Sequence, residues 1–170
     1  VLQGDENLNY LSSDGFSRAF VAVGTNHIRE QLSAMCINQG YQLVSAISPH
    51  AVISPTATIG RGVAVMAGAV INAESAIEEL SIINTGATVD HDCRIGRAVH
   101  IGPQCALAGN VTVGSQSFLG VGCMVIPEIT IGERFKRVGI GQAVGPVLAG
   151  AVGDLAQVGQ LSRSLYLAVA

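Results

Sequence analysis

Aromatic and charged residues are both scarce in this chain of 170 residues. Phe, Tyr and Trp make up 4% of the sequence, with no Trp at all, and Asp, Glu, Lys and Arg make up 12%. Most globular cores use large aromatic side chains, so this composition favours a repetitive core of small aliphatic residues. The net charge of -3 and the pI of about 5.7 show no basic excess. We therefore expect no nucleic-acid partner.

Long apolar runs, signal-peptide features and paired cysteines are also missing. The mean hydropathy is +0.47, yet no apolar run reaches the roughly 18 residues of a transmembrane helix, so we expect no membrane insertion. The N-terminus lacks the charged-then-apolar pattern of a signal peptide. The four cysteines form no Cys-x-x-Cys pair, which favours a cytoplasmic protein with buried thiols. The chain does not begin with Met, and we expect it to be part of a longer protein.

Aliphatic residues recur at every sixth position from Ile47 to Ile131. A smaller residue usually stands four places after each aliphatic one. The residue directly after the aliphatic one is often Gly. Each hexad predicts one short strand and a corner, and three hexads make a triangular coil of about 18 residues. The predicted fold is mainly β, a left-handed parallel β-helix with both classes of side chain inside. After Ile131 the phase of the pattern shifts by one, at Val138 and Gly139.

The residues before Ile47 follow a different pattern. Residues 18–24 are strand-like, residues 26–39 have helical spacing with Gly40 as a stop, and residues 41–47 predict a second strand. This is one βαβ unit, similar to the back end of a nucleotide-binding α/β domain. We therefore predict a partial α/β domain over residues 1–46 and a β-helix domain over residues 47–170. Its C-terminal end is irregular, with a coil remnant or a short helix from Val158 to Ala170.

Chemistry in a β-helix must lie on outward positions, because the prism has no interior pocket. His91 stands between Asp90 and Asp92, and His100 also lies on an outward position. A carboxylate beside a histidine favours the imidazolium, so the ring becomes a stronger general base. The alternative reading is a surface histidine beside solvated carboxylates. The small inward position holds Cys105 and Cys123 in adjacent coils, where a packing role is expected.

Metal binding is the competing use of these histidines. A zinc site needs three or four converging ligands, and the β-helix carbonic anhydrases use two histidines five residues apart plus a third. His91 and His100 are nine apart, and the sequence has no His-x4-His pair. We therefore expect no metal, and a zinc hydratase is the less favoured alternative.

Residues 84–96, Asn-Thr-Gly-Ala-Thr-Val-Asp-His-Asp-Cys-Arg-Ile-Gly, are followed by His100 and by Ala-Gly-Asn at 108–110. This segment resembles the bacterial sugar O-acyltransferase family. The family includes sialic acid O-acetyltransferases and the N-acetyltransferases of UDP-4-amino-sugars and of GDP-perosamine. The resemblance covers about residues 20–131. The family's Ser-Gly-His-Gly turn and its C-terminal Gly-x-Pro-Ala segment have no counterpart in this sequence.

The resemblance implies acetyl-CoA-dependent transfer of an acetyl group to the amino group of a nucleotide-linked amino-sugar, in surface glycan biosynthesis. O-acetylation of a sugar such as sialic acid is the alternative within the family. A non-catalytic β-helix scaffold for trimerisation is the alternative of another class. By the resemblance, His91 would be the general base and Asp92 would raise its basicity. The backbone N–H near Gly109 would stabilise the thioester oxyanion.

Further binding residues follow from the same resemblance. His100, Val121 and Gly139 would contact acetyl-CoA, with Val121 lining the pantetheine channel. Gly24 and Asn84 would lie near the sugar nucleotide. The family also implies a homotrimer that holds acetyl-CoA between neighbouring prisms.

Overall fold

A computed structural model describes residues 7–137, 141–143 and 167–169 of the chain. It consists of a small N-terminal α/β unit followed by a parallel β-helix. The predicted fold, a mainly β chain with a left-handed parallel β-helix after a partial α/β unit, is confirmed. Neither helix in the described part of the chain has the length and apolar character needed to span a membrane.

The α/β unit has a three-stranded sheet. Its elements are α1 (Asn7–Ser13), β1 (Arg18–Val21), α2 (Asn26–Asn38), β2 (Gln42–Leu43) and, from the far end of the chain, β20 (Leu167–Val169). Strands β1 and β2 are parallel, which confirms the βαβ unit, and α2 ends before Gly40 at a φ of +87°. The first helix, α1, is not in the sequence-based prediction. Strand β20 pairs antiparallel with β1, so residues 167–169 form neither the coil remnant nor the short helix predicted from Val158 to Ala170. The other residues of that predicted stretch, 158–166 and 170, lie outside the described residues.

The β-helix has three faces, each with parallel strands stacked one per coil. Face A contains β3 (Ala46–Ile47), β6 (Ala64–Val65), β9 (Ile82–Ile83), β12 (His100–Ile101), β15 (Phe118–Leu119) and β18 (Lys136–Arg137). Face B contains β4 (Val52–Ile53), β7 (Val70–Ile71), β10 (Thr88–Val89), β13 (Ala106–Leu107), β16 (Cys123–Val125) and β19 (Gly141–Ala143). Face C contains β5 (Thr58–Ile59), β8 (Ala76–Ile77), β11 (Arg94–Ile95), β14 (Thr112–Val113) and β17 (Thr130–Ile131).

Paired residues are 18 positions apart on all three faces, for example Thr88 with Ala106. The same offset joins Leu119 to Arg137 and Val125 to Ala143. The backbone therefore keeps its register where the sequence pattern changes phase, and the expected slip does not occur in β18 or β19. Val138 and Gly139 themselves lie outside the described residues.

The aliphatic and the small position of each hexad form the core. The aliphatic side chains at every sixth position from Val65 to Ile131 are all buried, and so are the small ones from Val63 to Cys123. In the first coil Ile47 is 48% exposed, and Ile53 and Ile59 are only partly buried, because these residues have a neighbouring coil on one side only. Burial of the other side chains is the main source of stability, at about 25 cal/mol per Å² of apolar surface.

Hydroxyl and thiol groups at the small position also join one coil to the next. Ser81 Oγ donates a hydrogen bond to the carbonyl of Gly96 (2.8 Å) and accepts one from the N–H of Val99 (3.2 Å). The thiol of Cys105 donates in the same way to the carbonyl of Gly120 at 2.9 Å. Burial raises the pKa of Cys105 to about 11, so this thiol is protonated and unreactive. These contacts support the packing role expected for the cysteines.

Each of the three corners contains residues with positive φ, and along one corner they follow each other at intervals of 18 positions. Corner AB, between faces A and B, uses Gly68, Gly86, Gln104 and Gly122; corner BC uses Glu74, Asp92, Asn110 and Glu128; corner CA uses Gly62, Leu80, Ala98, Gln116 and Arg134. The α/β unit packs on corner CA, where Leu80 and Ala98 share a buried cluster with Cys36 and Leu43. An ion pair from Arg97 at this corner to Glu30 of α2 (2.8 Å) adds to the attachment.

We predict that Ser81→Ala lowers the free energy of unfolding by about 1–3 kcal/mol, because the carbonyl of Gly96 and the N–H of Val99 lose their partner inside the protein. Ser81→Cys should lose less, because cysteine makes the equivalent bond at position 105. Urea unfolding of the two variants and the wild type measures the difference. Equal stability of Ser81→Ala and wild type would show that the inter-coil hydrogen bond contributes nothing.

Candidate active site

His91 and Asp92 form a hydrogen-bonded pair on corner BC. The Nδ1 atom of His91 is 2.8 Å from Oδ2 of Asp92, and the two side chains are 60% and 58% exposed. The hydrogen bond to Asp92 raises the pKa of His91 above its ordinary value, against a smaller effect of desolvation. With the Nδ1 proton directed to the carboxylate, Nε2 carries the lone pair. The pair therefore has the arrangement of a general base.

The backbone of His91 is held by Asp90. One carboxylate oxygen of Asp90, Oδ1, accepts hydrogen bonds from the N–H of His91 (2.9 Å) and from Nδ2 of Asn72 (2.9 Å). These bonds lower the pKa of Asp90, with the Asn72 bond as the larger cause. Asn72 is absent from the sequence-based prediction. Its position 18 residues before Asp90 is the signal that could have identified it, because such residues stack in adjacent coils.

Gly109 lies directly under the ring of His91. A Cβ atom built at Gly109 would be 2.6 Å from Cε1 and 2.7 Å from Nε2 of that ring. The following residue, Asn110, donates its N–H to the carbonyl of His91 at 2.9 Å. Gly109 is the stacked counterpart of His91, one coil further on. The structure thus brings three of the predicted site residues together: His91, Asp92 and Gly109.

His100 is the centre of a second cluster, on face A. Its Nδ1 atom is 3.2 Å from the carbonyl oxygen of Gly24, and its Nε2 atom is 3.0 Å from Nδ2 of Asn84. Oδ1 of Asn84 accepts the N–H of Thr85, so Nδ2 is the atom that donates to His100. His100 must then carry its proton on Nδ1. The Phe118 ring packs against it nearly at a right angle (86°), with ring centroids 5.1 Å apart.

The environment of His100 favours the neutral imidazole. Burial lowers its pKa, and the nearby charge of Arg29 acts in the same direction, while the bond to Gly24 opposes them. A neutral ring at this place is suited to hydrogen bonding in a fixed tautomer and is a poor candidate for the base. The two predicted histidines therefore have opposite electrostatic environments, as expected for different tasks.

Two predicted site residues remain, Val121 and Gly139. Val121 is exposed on corner AB between Gly120 and Gly122, on the same corner as Asn84. Gly139, predicted to contact the cofactor, lies outside the described residues. Corner AB thus carries the apolar side chain of Val121 and the polar side chains of Asn84 and Gln104, and Asn84 lies next to His100 of face A.

The two clusters lie on either side of face B. Strand β10 separates the corner that carries Asn84 from the corner that carries His91, so one chain does not bring the two histidines together. The outward residues of face B between them form an apolar strip, namely Val52, Val70, Ala106 and Met124 with Thr88 in the middle. Val52 is 64% and Met124 is 57% exposed.

A metal site is not apparent in the described part of the chain. Among residues 7–137, 141–143 and 167–169, no three His, Cys, Asp or Glu side chains converge as a bound ion would require. The expectation that the protein needs no metal remains a prediction.

The chain resembles solved sugar acetyltransferases over most of its length. A crystal structure of PerB from Caulobacter crescentus in complex with CoA and GDP-perosamine is 52% identical, with 84% of this chain and 69% of that chain covered and a TM-score of 0.83. Two further structures of the Caulobacter enzyme with the same ligands carry asparagine or alanine in place of one histidine.

A second solved relative is the acetyltransferase domain of PglB from Neisseria gonorrhoeae FA1090 in complex with acetyl coenzyme A. It is 40% identical, with 80% of this chain and 66% of that chain covered and a TM-score of 0.76. A curated protein, the GDP-perosamine N-acetyltransferase of Escherichia coli O157:H7, is 25% identical over 105 residues. The 105 matched residues make up 62% of this chain and 48% of that relative, so the chain spans about half of the relative's length. No family model matches the sequence.

We predict that Gly109→Ala displaces the ring of His91 without unfolding the protein. The new Cβ would collide with an exposed, movable side chain, so the ring should leave Asp92. The pKa of His91 should then fall toward its ordinary value, which an NMR titration of the histidine ring signals measures. Gly114→Ala is the contrasting control, because its Cβ would meet backbone atoms of Gly132 and Glu133. It should lower stability and leave the pKa of His91 unchanged. An unchanged His91 pKa in Gly109→Ala would disprove the close packing.

Proposed function

This chain belongs to the bacterial hexapeptide-repeat sugar acetyltransferases, and on that basis we propose that it acetylates the amino group of a nucleotide-linked amino-sugar, with acetyl-CoA as donor. The sugar would be of the GDP-perosamine or UDP-4-amino-sugar type, and the product would serve surface glycan biosynthesis in the cytoplasm. The observation that carries the proposal is the exposed His91–Asp92 pair over Gly109. Similar proteins have been solved with CoA, acetyl coenzyme A and GDP-perosamine bound.

His91 would act as the general base. Asp92 holds the Nδ1 proton, so Nε2 accepts a proton from the sugar amine as its nitrogen attacks the thioester carbon. The carbon–sulfur bond breaks, and CoA leaves as the thiolate. Because the imidazolium that forms lies next to Asp92 and near Asp90, two carboxylates stabilise it. Protonation of His91 in acid would stop the reaction, and its raised pKa places that loss at a higher pH than for an isolated histidine.

Gly109 would serve the same step in two ways. The absence of a side chain leaves the space that the His91 ring occupies. Its backbone N–H would face the thioester oxygen, on which negative charge develops as the amine attacks. A fixed N–H directed at such an oxygen is worth about 2.7–4 kcal/mol in other acyl-transfer enzymes. No covalent enzyme intermediate is needed, because a positioned amine and one base suffice.

Corner AB would bind the pantetheine arm and the sugar nucleotide. Glycines and the exposed Val121 suit a narrow chain of methylene and amide groups. Asn84 and His100 supply polar groups beside it, and Gly24 joins them through His100. Gly139 remains a predicted contact. These residues fit acetyl-CoA as a co-substrate that binds by shape and a few hydrogen bonds.

We further propose that the protein is a homotrimer whose active site lies between subunits. The base is on corner BC and the proposed CoA-binding residues are on corner AB, on opposite sides of face B. In a three-fold ring of parallel prisms, each prism turns one face toward the axis, and the corners that border this face meet the two neighbours. With face B toward the axis, corner AB of one chain meets corner BC of the next. The apolar strip of face B would then be covered.

We expect turnover of acetyl-CoA, measured as free thiol, with GDP-perosamine or a UDP-4-amino-sugar. His91→Asn should lower the rate by roughly 100- to 10,000-fold, because the base is lost. His50→Asn is the matched control and should be fully active. His50 is exposed on corner AB of the first coil, two coils before Asn84 and four before Val121, so it is away from the proposed acetyl-CoA site. If only sialic acid supports the release of free thiol, the reaction is O-acetylation and the proposed N-acetylation is wrong. Full activity of His91→Asn would refute His91 as the base, and the absence of both acetyl-CoA binding and turnover would favour the scaffold.

We also expect sedimentation at three times the chain mass of 17.4 kDa. Met124→Glu should dissociate the trimer, because it places a charge in the apolar strip of face B. Thr130→Glu is the control, since Thr130 is exposed on face C, and this variant should remain trimeric. A trimer in both variants would show that face B does not form the interface, and a monomeric wild type would refute the assembly.

A further inference from the structure

Arg29 is a buried cation without a carboxylate partner among its hydrogen bonds. Its residue exposure is 1%, although it lies in α2 near the protein surface. Burial lowers its pKa to about 10, against the attraction of the neighbouring Glu30, so the guanidinium is charged at neutral pH. Burial of a charge is costly unless its hydrogen bonds are satisfied. A side chain that only filled this space would be apolar.

All five N–H groups of the guanidinium have an acceptor, and every acceptor is a neutral oxygen. Nε donates to the carbonyl of Leu80 (2.6 Å), and Nη2 donates to the carbonyl of Ala98 (3.1 Å) and to Oδ1 of Asn26 (2.9 Å). Nη1 donates to the carbonyls of Val23 (2.9 Å) and Gly24 (3.0 Å). Arg29 therefore joins two stacked residues of corner CA to the loop that follows β1.

The carbonyl of Gly24 is shared between Arg29 and His100. It accepts one hydrogen bond from Nη1 of Arg29 (3.0 Å) and faces Nδ1 of His100 at 3.2 Å. A carbonyl oxygen has two lone pairs, so both bonds form together. The contacts continue from His100 to Asn84. An unbroken series of hydrogen bonds thus leads from the buried cation to the proposed cofactor-binding corner.

Attachment of the α/β unit to the β-helix does not by itself explain Arg29. Arg97 pairs with Glu30 (2.8 Å) and Glu79 (2.5 Å), and Nδ2 of Asn26 donates to the carbonyls of Gln116 and Ser117. These contacts already hold α2 on corner CA. Arg29 differs from them because it alone, within this set, also reaches the carbonyl of Gly24.

We propose that Arg29 is a positioning residue of the acetyl-transfer site: by fixing the carbonyl of Gly24, it holds His100 as the neutral Nδ1–H tautomer with Nε2 directed to Asn84. This inference rests on the proposed function for its kinetic consequence, but its structural part stands by itself. The groups that face His100 are the Gly24 carbonyl, the Asn84 amide and the Phe118 ring, with the charge of Arg29 behind Gly24. Arg29 is the charged group in this surrounding, and it disfavours protonation of His100.

The test compares the wild type with Arg29→Lys, Arg29→Met and Arg97→Gln. NMR of the imidazole nitrogens reports the tautomer and the pKa of His100, and a His100→Asn variant assigns its signals. In the wild type we expect the Nδ1–H tautomer and a His100 pKa below the ordinary value. Arg29→Met should raise this pKa, because the charge is lost. It should also raise the fraction of the Nε2–H tautomer, because the Gly24 carbonyl is no longer fixed toward Nδ1 and only the bond from Asn84 still favours the Nδ1–H form. Arg29→Lys keeps the charge but cannot reach all five acceptors, so it should mix the tautomers with a smaller change in pKa.

Arg97→Gln is the matched control, because it also loosens α2 from corner CA but does not touch Gly24. It should reduce thermal stability and leave the tautomer and pKa of His100 unchanged. In acetyl transfer, kcat should fall roughly 10- to 100-fold in Arg29→Lys, as expected for a misplaced site group. Arg97→Gln should retain kcat.

If an Arg29 variant fails to fold, the NMR spectrum of the wild type still tests the proposal. An Nε2–H tautomer or a charged His100 at neutral pH in the wild type would overturn it. An unchanged His100 in a folded Arg29→Met would overturn it as well. If the wild type transfers no acetyl group to any acceptor, the proposed function fails, while the NMR comparison still decides whether Arg29 positions His100.

Discussion

Parallel stacking of coils at a spacing of 18 residues is the constraint on which the structure depends. It places aliphatic residues next to aliphatic residues along the prism, so that Ile83 pairs with Ile101 and Ile101 with Leu119. Because each coil has only strands of two or three residues, no single coil could bury its own side chains. Inward hydroxyl and thiol groups act in the same direction, since each of five joins its coil to a carbonyl of the next: Ser75, Ser81, Cys93, Cys105 and Ser117.

The same stacking builds the candidate site. Corner residues have fixed backbone angles, and neighbours one coil apart lie close enough for direct contact. This is how Asn72 reaches Asp90, and how the ring of His91 comes to lie over Gly109. A rigid corner is a good support for a general base, because the ring is held from below by the backbone and from the side by Asp92. The His91 side chain is still 60% exposed in the single chain, and a neighbouring chain of the proposed trimer would cover it.

The α/β unit contributes more to the site than its small size suggests. It contacts corner CA, yet its loop after β1 delivers the carbonyl of Gly24 to His100 on face A. The buried guanidinium of Arg29 connects these two places at the expense of desolvating a charge. The two histidines therefore differ for identifiable physical reasons. His91 is exposed and beside carboxylates, which raises its pKa, whereas His100 is half-buried and near a cation, which lowers its pKa.

Sequence alone determined the β-helix, because a period of six in residue size has one common structural solution and needs no distant contacts to be recognised. The resemblance to a known family singled out His91, Asp92 and Gly109, and the 18-residue period explains why His91 and Gly109 are stacked. Only the tertiary structure decided where the α/β unit docks, that β20 returns to β1, and that Arg29 is buried with neutral partners. These features depend on contacts between segments with no shared period, as between Arg29 and Leu80 or Ala98. Local pattern carries no information about such contacts, because they arise from how whole elements pack.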